Sequence, residues 1–262
     1  MDSKNSGFIT VGFDPGGARK FGWALIHWRS REPEPIQDGD CGIASSAQSA
    51  LNGVKKRLGN RRPNAIGIDA PLYWVNGDVE RVVDRKVREA LHGKTRRSVN
   101  HVNSLRGGCL AQGMMLAHLA LRSWPRALIT ETHPAALSSM YRDAPAHHRS
   151  GAAGHTSFLE WCALARRGIK EHGKLPISKG GNLAASQSEK LPSTISLHEI
   201  DALLGAVAAG IGWLAIDDSI AHDSEWADLV TQEDEESSTR FFPWTNDSRE
   251  LHYYFPLYQQ AG

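Results

Sequence analysis

Apolar positions alternate with small or polar ones near the start of the chain, which is typical of a half-buried β-strand. Val11 and Phe13 fall on one face of this strand, and Gly12 and Asp14 fall on the other. A Pro-Gly-Gly turn then leads into a second apolar run over residues 21–26. Asp14 is therefore predicted to end a hydrophobic strand, on the face that glycine keeps open.

The same pattern recurs in the middle of the chain. Gly67 and Asp69 share one face of a short strand, Ile66 and Ile68 share the other, and Pro71 ends it. Asp, Pro and Gly favour turns wherever they occur, so each motif alone is compatible with a simple turn. If the two strands are parallel neighbours about 4.8 Å apart, however, their carboxylates converge. Two converging carboxylates are costly without a cation or a proton between them, which favours a functional site.

The remaining periodicity predicts the other elements. They are a strand at 36–44, helices at 47–58, 77–92, 105–124, 134–142 and 156–172, a strand at 126–131, a long loop at 173–196 and a helix that begins at 197. An antiparallel meander, followed by a helix that returns to a parallel strand, predicts an α/β fold with a mixed sheet.

Composition places the chain among ordinary globular proteins. Its 262 residues are 40% hydrophobic and 23% charged, which suits one large domain or one domain with insertions. The three cysteines are widely spaced without a CxxC pair, which suits a reducing compartment and argues against a zinc site. Residues 1–7 are polar, and the longest apolar run, 202–216, is too short and glycine-rich to span a bilayer. We expect a soluble, cytoplasmic protein that does not enter a membrane.

Charge is balanced overall but uneven along the chain. The net charge is +1, yet residues 81–106 contain eight Lys or Arg against two acids. This run is either a solvated surface or a phosphate-binding region. The candidate nucleic-acid contacts are Arg81, Arg85, Arg96, Arg97 and Arg106. Residues 217–236 contain nine acids and no Lys or Arg, which is usual for a solvated linker.

Two more carboxylates fit the pattern set by the aspartates at the strand ends. Glu131 closes the strand at 126–131 and is soon followed by proline. Asp201 lies early in a helix whose small-residue stripe lets it approach a sheet closely, although an acid in a first turn also stabilises the helix dipole. His133 and His198, next to these acids, are accessory candidates, and structural histidines are the commoner alternative.

The resulting set of candidate catalytic and metal-binding residues is Asp14, Asp69, Glu131 and Asp201. Oxygen ligands without His or Cys pairs favour Mg²⁺ or Mn²⁺ over zinc. Clustered acids can hold two such ions about 4 Å apart, which activate a water and stabilise the leaving oxygen in phosphodiester hydrolysis.

The first of these motifs, Val-Gly-Phe-Asp-Pro-Gly at 11–16, resembles the first-strand motif of Holliday-junction resolvases in the RNase H-like superfamily. A longer resemblance, over about 8–215, is to domain-of-unknown-function family four-two-nine, a family of predicted nucleases with an RNase H fold. The motifs that carry it are Gly12-Phe13-Asp14 with Gly22-Trp23, Ile68-Asp69-Ala70-Pro71-Leu72, Glu131-Thr132-His133-Pro134-Ala135-Ala136 and His198-Glu199-Ile200-Asp201-Ala202.

This resemblance implies an α/β, RNase H-like domain over 8–216, built on a mixed five-stranded sheet flanked by helices, with a metal-dependent acidic site. Segments at about 76–124 and 143–196 are then helical insertions, and residues 217–262 form an extra C-terminal segment outside the pattern. The predicted function is a metal-dependent nuclease with nucleic acid as its substrate. One alternative is a catalytically silent nucleic-acid-binding or scaffold protein of the same fold. The other is an ATP-dependent phosphotransferase, whose first phosphate loop also follows a strand with Asp-x-Gly; that architecture normally needs two such domains, and only Asp14-Pro15-Gly16 is predicted to form such a loop here.

Overall fold

A computed structural model describes residues 7–16, 20–28, 36–75, 80–91, 99, 107–143, 162, 195–216, 226–228, 240–241 and 254–256. The strands are β1 (Phe8–Asp14), β2 (Phe21–Trp28), β3 (Ile36–Ala44), β4 (Ala65–Ile68), β5 (Trp74–Val75), β6 (Leu128–Glu131), β7 (Trp226–Asp228), β8 (Arg240–Phe241) and β9 (Tyr254–Pro256). The helices are α1 (Ala47–Leu58), α2 (Val82–Ala90), α3 (Gly107–Ser123), α4 (Pro134–Asp143) and α5 (Leu197–Ile216).

Five strands form one mixed sheet in the order β3-β2-β1-β4-β6. Strand β2 is antiparallel to both of its neighbours, β1 and β3, whereas β1, β4 and β6 run parallel to one another. One hydrophobic cluster lies between the sheet and helices α1 and α3, and a second lies between the opposite face and α5. The predicted α/β class and the mixed five-stranded sheet are therefore confirmed.

Local sequence explains the bounds of α1, which match the prediction. The Ser46 side chain accepts a hydrogen bond from the Ser49 amide, and the Ser49 hydroxyl accepts one from the Ser46 amide. This reciprocal cap satisfies two amide groups that a helix start leaves without partners. Leu51, Val54 and Leu58 then share the buried face of the helix.

Glycines on the sheet let α5 approach it unusually closely. A Cβ atom on Gly12 would overlap the Ala202 carbonyl oxygen and lie 2.5 Å from the Ala206 nitrogen. A Cβ on Gly67 would overlap the Gly205 carbonyl oxygen in the same way. The helix backbone therefore rests directly on the strand backbones, so the strand glycines determine where the first turns of α5 lie.

Three predicted features differ from the structure or fall outside it. The helix predicted at 77–92 begins only at Val82, because the extended backbone of Arg81 (ψ 138°) forms its N-cap. The helix predicted at 156–172 and the loop at 173–196 lie outside the described residues, apart from 162 and 195–196. Parts of the C-terminal segment pair as strands: β8 pairs with β5 in a separate two-stranded sheet, and β7 pairs with β9 in another.

Hydropathy singles out one helix in the part of the chain that the structure describes. By length and composition, residues Leu197–Leu214 of α5 are long and apolar enough to cross a membrane, which corrects the expectation that this stretch is too short; 83% of that window, however, is buried inside the protein. This burial is consistent with the core helix of a soluble protein.

Candidate functional site

Asp14 and Asp69 lie at the carboxyl ends of neighbouring parallel strands. Asp14 is the last residue of β1, and Asp69 directly follows β4, where its amide donates a 2.9 Å hydrogen bond to the Phe13 carbonyl. Gly12 and Gly67, two residues before the two aspartates, are register partners and both face α5. The two aspartates therefore stand at equivalent backbone positions at the ends of neighbouring parallel strands, each two residues after a glycine that faces α5.

The first turns of α5 bring two more polar residues to this edge. Gly22 is the register partner of Asp14, and a Cβ on Gly22 would overlap the His198 carbonyl oxygen. From this position the His198 Nδ1 donates a hydrogen bond of 2.5 Å to Asp14 Oδ2. Asp201 lies one turn further along the helix and is 7% exposed. The α5 face thus brings His198 into contact with Asp14 and within electrostatic range of Asp201, while Asp69 is placed at the same end of the sheet by its backbone.

Glu131 does not join these residues, because it lies on the other face of the sheet. Its register partner is Ile68, which belongs to the hydrophobic cluster under α1 and α3. The residue that aligns with Asp69 is instead Thr132, whose amide donates a 2.9 Å hydrogen bond to the Ile68 carbonyl. The expectation that Glu131 completes one cluster with the three aspartates is therefore corrected. A signal existed in the sequence, since Ile129 stands where the other two strand motifs have glycine.

Glu131 is instead part of a buried ionic cluster with Arg81 and Asp84. The Arg81 Nη2 and Nη1 donate to the two Glu131 carboxylate oxygens at 2.7 and 2.9 Å, and its Nε and Nη2 donate to Asp84 at 2.8 and 2.6 Å. Burial alone would lower the pKa of Arg81, but the charges of Glu131 and Asp84 raise it well above its ordinary value. Burial raises the pKa of the Glu131 carboxyl, whereas the charge of Arg81 and the hydrogen bonds from Arg81 and the Leu72 amide act to lower it.

The structure therefore corrects the interpretation of Arg81 as a phosphate contact. Its side chain is 1% exposed and its guanidinium is enclosed by two carboxylates, so it is not available to a nucleic acid. Arg85 is exposed on α2 and keeps its candidate role. The other three candidates, Arg96, Arg97 and Arg106, lie outside the described residues.

His133 follows β6 closely and is half-buried, at the start of α4. Its carbonyl accepts a 3.0 Å hydrogen bond from the Leu137 amide, which helps to define the first turn of that helix. Of the two histidines predicted as accessory residues, His198 is the one whose hydrogen bond to Asp14 the structure shows.

The donors at this edge suit some metal ions better than others. Among the described residues, no three His, Cys, Asp or Glu side chains already form a group that could hold a metal ion. Mg²⁺, however, keeps several waters and is commonly bound through one or two carboxylates together with substrate phosphates. Asp14 and Asp69, which end neighbouring parallel strands, are two carboxylate residues of the kind that requirement needs, and Asp201 lies within electrostatic range of His198 beside Asp14. The donor set is therefore chemically compatible with a hard divalent cation, without Glu131.

The Asp14–His198 pair leads to a prediction about pH. The hydrogen bond to Asp14 raises the pKa of His198 above its ordinary value, burial opposes the rise, and the charges of Asp14 and Asp201 add to it while Lys20 lowers it. In chelator-treated protein, we expect the imidazole to titrate above its unfolded value of about 6.5, as followed by NMR. The stabilisation is then fully present below that unfolded pKa and is lost as the pH rises through the folded pKa.

Substitutions at the two aspartates check the assignment of this pKa. Asp14→Asn should lower the pKa of His198 because it removes both the charged acceptor and its field, and Asp201→Asn should lower it by less. An unchanged His198 titration in Asp14→Asn would contradict the pairing.

Comparison of the chain with profiles of known protein families, with curated proteins and with solved structures finds no match. A function for this chain is therefore inferred from its own residues and from their arrangement.

Proposed function

We propose that this protein is a metal-dependent nuclease of RNase H-like fold that hydrolyses phosphodiester bonds. One observation carries the proposal: Asp14 and Asp69 occupy equivalent positions on neighbouring parallel strands, on the face covered by the start of α5. A pair of carboxylates at such an edge is costly unless something positive binds between them. The mixed five-stranded sheet is compatible with the RNase H-like arrangement that the sequence motifs suggest.

Asp14 and Asp69 are the residues that would hold Mg²⁺ or Mn²⁺, with Asp201 as the third carboxylate. One or two such ions supply Lewis acidity, which activates a water and stabilises the leaving oxygen. His198 binds Oδ2 of Asp14, so it would orient that carboxylate, and Oδ1 would remain available to a cation. A hydrogen-bonded partner of this kind is a common requirement of carboxylate ligands in metal sites.

His198 has a second use in this proposal. Because its Nδ1 is bound to Asp14, its Nε2 is the nitrogen that can exchange a proton with a substrate or a water. The side chain is 32% exposed, so a substrate can approach it. The exposed Arg85 on α2 remains a candidate for contact with a phosphate of the substrate.

The decisive experiment is cleavage of labelled single-stranded, double-stranded and branched DNA and RNA, with Mg²⁺, with Mn²⁺ and with chelator. We expect metal-dependent cleavage by the unaltered protein. Asp14→Asn should reduce it at least about 100-fold, since even a partner of a metal ligand is worth about 10–100-fold. The matched control is Asp40→Asn, which removes the same charge from β3, where Asp40 pairs with the exposed Arg57. It should leave cleavage unchanged.

Other outcomes would replace the proposal. Equal cleavage by the Asp14→Asn protein and the unaltered protein would remove Asp14 from the site. Salt-dependent binding of the panel without cleavage would favour the nucleic-acid-binding or scaffold alternative. Tight ATP binding without nucleic-acid binding would favour the phosphotransferase. The proposal also places the protein in the cytoplasm, where nucleic acid and Mg²⁺ are both present.

A further inference from the structure

The buried ionic cluster is attached to the chain segment that begins at the candidate site. We call residues 69–73, from Asp69 to Tyr73, the Asp69 segment. At its far end, the Leu72 amide donates a 2.9 Å hydrogen bond to Glu131 Oε2, and Arg81 Nη1 donates one of 3.2 Å to the Tyr73 carbonyl. The Arg81 guanidinium also lies over the Tyr73 ring, 4.7 Å from its centroid. The cluster thus holds two consecutive residues of the segment.

The near end of the Asp69 segment is held by the sheet and by α3. The Asp69 amide is bonded to the Phe13 carbonyl, and the Ala70 amide donates a 2.9 Å hydrogen bond to the Ile68 carbonyl. Ala70 packs so tightly under α3 that a Cβ atom added to Gly113 would overlap the Cβ atom of Ala70. Because both ends of five residues are fixed, the direction of the Asp69 side chain depends on the cluster as well as on the strand.

We propose that Glu131 and Arg81 are positioning residues that fix the Asp69 carboxylate at the metal-binding edge. This inference rests on the proposed function, because the orientation of Asp69 matters catalytically only if Asp69 holds a cation. It assigns Glu131 a different role from that of a metal ligand: Glu131 acts from the opposite face of the sheet through the backbone of the Asp69 segment. Both of its oxygens already accept hydrogen bonds from Arg81, and one also accepts from Leu72.

A carboxylate is required at position 131 for a chemical reason. Three N–H groups converge on its two oxygens, and a carboxylate can accept at both. The amide of glutamine has one accepting oxygen and one NH₂ group, so Glu131→Gln must turn a donor toward at least one of these N–H groups. Glu131→Gln therefore loses at least one of the hydrogen bonds from Arg81 and Leu72 that hold the segment.

Asp84 offers a matched control within the same cluster. It is 4% exposed, like Glu131, and accepts two hydrogen bonds from Arg81, but the bonds to the Asp69 segment come from Arg81 and Glu131. Asp84→Asn therefore removes one buried negative charge from the same guanidinium while it leaves the Glu131–Leu72 bond in place. Any general loss of stability should be similar in the two variants.

The test measures two quantities in Glu131→Gln, Asp84→Asn and the unaltered protein. The first is amide hydrogen exchange of Asp69, Ala70, Leu72 and Tyr73 in metal-free protein, relative to the amides of β1. In Glu131→Gln, we expect the exchange rates of these four amides to rise at least about tenfold more than those of the β1 amides. In Asp84→Asn, we expect the four amides and the β1 amides to change by the same factor. The second is Mn²⁺ affinity, which should weaken about 10–100-fold in Glu131→Gln and much less in Asp84→Asn.

Each outcome decides a separate question. Weaker Mn²⁺ binding with unchanged exchange would make Glu131 a direct ligand and would overturn the inference. Equal effects in Glu131→Gln and Asp84→Asn would reduce the role of Glu131 to stability and would also overturn it. If the unaltered protein does not bind Mn²⁺, the proposed function fails, and the exchange result still decides whether Glu131 holds the segment. Should Glu131→Gln not fold, Arg81→Lys, which keeps the charge but loses the fork of donors, is expected to give the same local exchange.

Discussion

Gly12→Ala is expected to lower the free energy of unfolding by about 3 kcal/mol or more, the upper end of the usual cost of overpacking. The added methyl group would overlap the carbonyl oxygen of Ala202 and lie 2.5 Å from the nitrogen of Ala206. Both are backbone atoms in the middle of a buried helix, so neither can move aside as a flexible side chain could. Urea denaturation of the purified protein measures the change.

Gly108→Ala is the control for this substitution. A Cβ at Gly108, in α3, meets no atom within 4 Å, and alanine is favoured over glycine in a helix by up to about 1 kcal/mol. We therefore expect unchanged or slightly increased stability. A Gly12→Ala protein as stable as the Gly108→Ala protein would show that the backbone of α5 does not lie directly against β1.

Arg81→Met is expected to cost about 3–5 kcal/mol of stability, because it leaves two buried carboxylates without their cation. Arg81 and its partners Asp84 and Glu131 are all nearly inaccessible to water. The same change at Arg57, whose side chain is 58% exposed beside Asp40, should cost about 0–1 kcal/mol. Both free energies can be measured by denaturant unfolding at neutral pH.

A triple variant separates charge from volume in this cluster. Replacing Arg81, Asp84 and Glu131 together by apolar residues removes every charge of the cluster, so much of the stability lost in Arg81→Met should return. If Arg81→Met alone lowers the free energy of unfolding by less than about 1 kcal/mol, water must reach the two carboxylates. The triple variant should nonetheless fail to order the Asp69 segment, since the bonds to Leu72 and Tyr73 are also removed.

The candidate site was only partly predictable from sequence. Asp14 and Asp69 each stand two residues after a glycine, and this parity alone is enough to place them on one open face of the sheet. Glu131 has no such glycine, and its position at a strand end did not reveal its face, because a shift of one residue in register turns every side chain to the other side. Arg81 looked like part of a basic surface because nothing nearby in sequence shows a partner 50 residues away.

The sequence by itself determined the alternating strands, the bounds of α1 and the acidic ends of β1 and β4, because these depend on local periodicity, caps and turns. Only the tertiary structure decided that Glu131 turns away from the aspartates, that Arg81 is buried, and that His198 reaches Asp14. Each of these facts depends on the register of distant strands and on how closely α5 can approach glycine backbones. Such contacts join residues far apart in the chain, and their energies are realised only when the sheet and helices pack together.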